Sequence, residues 1–164
     1  MWRCALRWLT LAAFAAIGVS PALADTRQFV SGSLAEIEKA QRGRPFLLIV
    51  WSLDCTACLR ELDMLTAEAK RHPEMALIMV STDELSRQPD VERMLARHGL
   101  DPMQSWIFAE DDAQRLRHEI DRAWYGEMPR AYFYDHRHQR VSRSGALTAE
   151  YIDAWLARSK PKFE

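Results

Sequence analysis

Short continuous apolar runs alternate along this chain with longer stretches whose apolar positions recur every three or four residues. Residues 46–51 (FLLIVW) and 75–81 (MALIMVS) are runs of the first kind, the pattern of strands covered on both faces. Between them Leu59, Leu62, Leu65 and Ala69 recur at helical spacing. That helix opens on Cys55 and ends near His72, because proline at 73 disfavours helix in the residue before it. Two strands joined through a helix are expected to lie parallel and adjacent by a right-handed crossover. Upstream, residues 33–41 read as a short amphipathic helix with Ser33 and Glu36 as a capping box and Gly43 closing it. Downstream come a helix over 89–98 ended by Gly99, a short strand at 106–108, and a polar helix over 111–123 that turns Ala113, Leu116 and Ile120 inward. Residues 124–129 form a loop. Residues 131–134 and 139–142 form a hairpin about 135–138, and Thr148 caps a last helix. Helices alternating with strands and a closing hairpin predict an α/β sandwich with a mixed sheet and helices on both faces.

Composition adds little to the fold and more to the setting. At 164 residues the chain suits one domain, and its net charge of −1 offers no basic footprint for nucleic acid. The arginines spread along helical stretches as a solvated face. Residues 1–24 read separately from the fold: Arg3 and Arg7, an apolar stretch at 9–19 too short to span a membrane comfortably, then Pro21 and Ala22-Leu23-Ala24 before Asp25. This is the layout of a secretory signal cut after Ala24, with an uncleaved membrane anchor as the alternative. The domain is then expected over 25–164. Cleavage takes away Cys4, Arg3 and Arg7, leaving 20 basic residues against 23 acidic ones and a net charge of −3. It also leaves just Cys55 and Cys58, in an exported, disulfide-permissive compartment, the periplasm.

Cys55-Thr56-Ala57-Cys58 therefore carries the candidate chemistry. Two cysteines separated by two residues in the first turn of a helix can join their sulfurs. The first lies beside free backbone N–H groups, which favour thiolate over thiol. Cys55 is expected to attack and Cys58, deeper in the helix, to resolve the mixed disulfide. Asp54 opposes a strongly lowered thiol pKa if its carboxylate points at Cys55. A structural zinc site needs four ligands, and two cysteines do not supply them. A purely structural disulfide is the plainer alternative.

The strand, turn, CxxC and helix, followed downstream by GEMPRAYFYD, resemble the thioredoxin fold, and the nearest likeness is to exported TlpA-like reductases. The likeness runs over about residues 28–158. It implies a thioredoxin-like three-layer sandwich with a cis-proline at Pro129 facing the disulfide, where the Met128 backbone pairs with an incoming substrate strand. It implies Trp51 packing under the active site, Trp51 and Asp54 with Met128 and Pro129 as the substrate-binding residues, and Glu61 as an acid/base near Cys58. A solvated helix glutamate is the simpler reading of Glu61. The likeness further implies exported protein substrates with disulfides, a membrane thiol–disulfide reductase as electron donor, and no cofactor or metal. Several positions depart from the family's pattern. Asp54 stands where an uncharged residue is usual, Asp63 replaces a frequent proline, the dipeptide is Thr56-Ala57, and Ile49 occupies the place of the buried aspartate of thioredoxins.

The expected function is a periplasmic thiol–disulfide oxidoreductase acting as a reductase, and the same atoms could serve an oxidase or isomerase. A copper-binding assembly protein using Cys55 and Cys58 is the alternative from another class. Copper carriers of similar architecture space their cysteines by three residues and add a histidine, which this chain does not match. His136 and His138 are expected to be solvent-exposed in the hairpin turn.

Overall fold

The computed structural model describes residues 26–100 and 104–159, so the leader expected at 1–24 lies outside the described residues. In order, the elements are β1 (Arg27–Phe29), α1 (Ser33–Ala40), β2 (Phe46–Trp51), α2 (Thr56–Arg71), β3 (Ala76–Ser81), α3 (Gln88–Arg97), β4 (Ser105–Phe108), α4 (Ala113–Ile120), β5 (Arg130–Tyr134), β6 (Arg140–Ser144) and α5 (Ala149–Ser159). A 3-10 turn, Leu85–Arg87, leads into α3. The sheet order is β1-β4-β3-β2-β5-β6. The first four strands are mutually parallel, β5 runs against β2, and β6 runs against β5. Among the described residues no helix is long and apolar enough to cross a membrane.

Alternation along β2 divides the core. Leu47, Ile49 and Trp51 pack with Leu62 and Leu65 of α2, Leu95 of α3 and Ile152 and Trp155 of α5. Phe46, Leu48 and Val50 pack with Ile37 of α1 and Leu116 and Ile120 of α4. Both faces of β2 are thus covered, which is why its sequence is apolar throughout. The expected α/β sandwich with a mixed sheet is what forms.

Local details differ from the sequence reading. The capping box at Ser33 does not form. The chain enters α1 through Gly32 at φ 88°, which places Ser33 inside the helix. Its hydroxyl accepts instead from the Val30 N–H, and Glu36 pairs with Arg27. β1 was not expected, because three residues carry no measurable period. It is held by Phe29, fully buried and stacked on Phe108. The histidines of the hairpin turn are half-buried and tied down. His136 Nδ1 donates to the Ser159 carbonyl (2.8 Å) and His138 Nε2 to the Gln41 carbonyl (3.0 Å).

Candidate active site

The site gathers at the carboxyl end of β2. Register pairs Trp51 with Ser81 of β3 and Val50 with Arg130 of β5. The turn leaving β2, the loop leaving β3 and the loop entering β5 therefore meet. Cys55 is the N-cap of α2 and is joined to Cys58 in a disulfide, with Cα atoms 5.2 Å apart. Cys55 Sγ accepts a hydrogen bond from the Cys58 N–H at 3.1 Å. That is the free-N–H environment of a helix start, aimed at the first sulfur. Cys55 is partly exposed, whereas Cys58 is 2% exposed in the apolar cluster under the sheet.

The turn from Ser52 to Asp54 is fixed by Asp83, whose side chain is almost wholly buried. One of its oxygens accepts from the Leu53 N–H (2.9 Å) and the Ser81 hydroxyl (2.6 Å). The other accepts from the Ser52 hydroxyl (3.1 Å) and the Arg87 guanidinium (2.8 Å). With these four donors the carboxylate is well satisfied, as a buried charge must be. Arg87 also forks onto Asp54, at 2.7 and 3.2 Å. Asp54 is thus drawn to a cation. Sequence reasoning missed Asp83 and Arg87. The available signal was the polar run Ser81-Thr82-Asp83 at the carboxyl end of a buried strand, where open α/β sheets place their sites.

Glu61 is 6% exposed, so it is not a solvated helix glutamate. One carboxylate oxygen accepts from the Leu147 N–H at 2.8 Å, and the other is buried without a partner. Burial raises its pKa above the ordinary carboxylate value, and the Leu147 hydrogen bond only partly opposes this. Cys58 lies three residues earlier on the same helix face and packs in the cluster that contains Leu147.

The Met128–Pro129 peptide is cis. It immediately precedes β5, alongside the end of β2. Met128 packs against the apolar cluster that holds Cys58, and its sulfur lies 3.7 Å from the Thr82 hydroxyl. Trp51 is fully buried, with no exposed face to offer a substrate, and belongs to the support beneath the disulfide. Behind Pro129, the nearly buried Arg130 binds Asp121 (2.7 Å), Glu127 (3.2 Å), and the hydroxyls of Ser142 and Ser144. This anchors the entry to β5 to the preceding loop. Far from the disulfide, Glu68, His72 and Asp153 bring three possible metal-donor atoms within 4.8 Å of one another, but Arg71 already binds both carboxylates.

No protein-family model matches the chain, and no curated protein matches it. Solved structures do. MTB dsbF, in mixed oxidised and reduced forms, superposes with a TM-score of 0.61 at 15% identity over 74% of this chain and 85% of its own. A thioredoxin-family thiol:disulfide interchange protein from Chlorobium tepidum gives 0.61 at 12% identity over 74% and 83%. A secreted Mycobacterium tuberculosis disulfide oxidoreductase, homologous to E. coli DsbE, gives 0.56 at 14% over 73% and 85%. With its mixed sheet, its CxxC disulfide at the start of α2 and its cis-proline before β5, the chain has the thioredoxin fold, similar in architecture to these thiol:disulfide oxidoreductases.

Proposed function

We propose that this protein is a thiol–disulfide oxidoreductase working outside the cytoplasm, in the periplasm, as a reductase of disulfides in exported proteins. The observation that carries this reading is the closed Cys55–Cys58 disulfide in the first turn of α2, with Met128 of the cis Met128–Pro129 peptide packed on the same apolar cluster as the cysteines.

In the reduced protein the Cys55 thiolate is the nucleophile. The N–H groups of the helix start stabilise its charge, and its partial exposure gives substrate access. It attacks one sulfur of a substrate disulfide, forming a mixed disulfide and releasing one substrate thiolate. Cys58, buried in the apolar cluster, then loses its proton and attacks Cys55 Sγ. The Cys55–Cys58 bond reforms and the second substrate sulfur leaves as a thiolate, so two electrons pass from the dithiol to the substrate. Glu61, with a buried unpartnered oxygen and a raised pKa, is the group to receive the Cys58 proton. The backbone at Met128 receives the substrate as an added strand. A membrane thiol–disulfide reductase returns the electrons.

Trapping tests this. Cys58→Ala should leave exported proteins attached to Cys55 through bonds that dithiothreitol releases. An absence of adducts, or tight stoichiometric copper binding with no disulfide exchange, would contradict it.

A further inference from the structure

Asp54 poses a chemical problem: a carboxylate in the residue before Cys55 disfavours a second negative charge on the sulfur. The fold answers it from another element. Arg87, at the end of the 3-10 turn after β3, binds Asp54 through its two terminal guanidinium nitrogens, at 2.7 and 3.2 Å. Its own direction is set from the buried side, where one nitrogen also binds Asp83 at 2.8 Å. Asp83 in turn holds Leu53 N–H and the Ser52 hydroxyl, and that hydroxyl accepts from the Asp54 N–H at 3.1 Å. The Asp54 backbone is thus held through Ser52, and its side chain by Arg87, with Asp83 binding both of those partners from about 30 positions along the chain.

Resting on the reading of Cys55 as the attacking thiol, we propose that Arg87 is a positioning residue that draws the Asp54 carboxylate away from Cys55 and offsets its charge, keeping Cys55 a ready nucleophile. The bidentate fork matters because a planar guanidinium fixes both carboxylate oxygens at once. The charged groups in play are Asp54 in the residue before Cys55, Asp83, Glu84 and Arg87 from the segment after β3, and Glu61 farther along α2. The Asp54–Arg87 pair is open to solvent, with side chains 79% and 36% exposed, so its influence is subject to salt.

The test is the rate at which iodoacetamide alkylates Cys55 in the reduced full chain, followed by mass spectrometry across pH at low and at high salt. Arg87→Gln should slow alkylation about three- to tenfold at a pH below the thiol pKa and move the rate profile upward in pH. Arg87→Lys should recover part of the rate. Asp54→Asn should accelerate alkylation in the Arg87→Gln background by more than it does in the wild-type background. The Arg87→Gln deficit should shrink in high salt. A wild-type rate for Arg87→Gln, or an Asp54→Asn effect equal in the two backgrounds, would overturn the proposal. If Arg87→Gln fails to fold, the Arg87→Lys and Asp54→Asn profiles carry the test: Arg87→Lys should alkylate more slowly than wild type, and an unchanged profile for it in a folded chain with Asp54→Asn strongly accelerating would overturn the role of Arg87. Failure of the underlying reading is distinct: wild-type protein would then label Cys58, or neither cysteine, whatever stands at 87.

Discussion

The two ends of α2 are both crowded with charge, and they are organised differently. At its start, Asp83 is buried and satisfied by four donors, two of them the Leu53 N–H and the Ser52 hydroxyl of the turn that presents Cys55. At its finish, the exposed Arg71 and Asp153 meet the buried Glu68 and the half-buried His72, and together they tie α2 to α5. One cluster fixes the place of a reactive atom; the other fastens two helices. The difference teaches that a gathering of ionisable groups becomes a site through what it holds in place. A buried carboxylate that holds the backbone of a turn beside a sulfur differs in kind from one whose partners are the side chains that join two helices.

The largest effect should fall on chemistry alone. Cys55→Ser should reduce disulfide exchange with a model protein disulfide to the uncatalysed level, while the fold, measured by circular dichroism, persists. Next comes stability at the start of α2. Asp83→Ala strips a buried charge from Arg87 and leaves the Leu53 N–H without its acceptor, and should cost about 3–5 kcal/mol in urea unfolding. At the other end, Asp153→Asn should cost much less than Asp83→Ala, and high salt should shrink that cost. Equal costs at the two ends would remove the contrast.

Glu61 gives a smaller, pH-dependent effect. Burial raises its pKa in the folded chain, so the folded state holds the proton more tightly than the unfolded one. The stability this contributes is fully present below the unfolded carboxylate value and is lost as pH rises through the raised folded value. Glu61→Gln stays neutral and keeps an acceptor for the Leu147 N–H. Its stability should therefore gain on the wild type as pH rises from about 4 to about 8. A gap constant across that range would mean that Glu61 is not perturbed.

The architecture was legible because β2 and β3 are apolar throughout and α2 between them keeps a helical period. Those patterns fix a parallel pair and place Cys55 at the mouth of a helix. The cis-proline at 129 and the weight given to Glu61 came from resemblance, since nothing in local sequence distinguishes Pro129 or shows that Glu61 is buried. β1 was invisible because it is three residues long and exists by pairing with β4. Asp83 and Arg87 were missed for a related reason. Their partners lie about 30 residues away, and no period in the sequence reports a contact made by chain crossover. The same holds for His98 with Asp63 and for His72 with Asp153, where the sequence offered no partner spacing.

The central claim is that the bond between Cys55 and Cys58 is made and broken in the folded protein. Equilibrating the full chain across mixtures of reduced and oxidised glutathione, with thiols counted and the fold followed together, tests it most directly. The account predicts one two-electron transition between dithiol and disulfide, with the fold intact on both sides. A disulfide that opens only when the chain unfolds would contradict it.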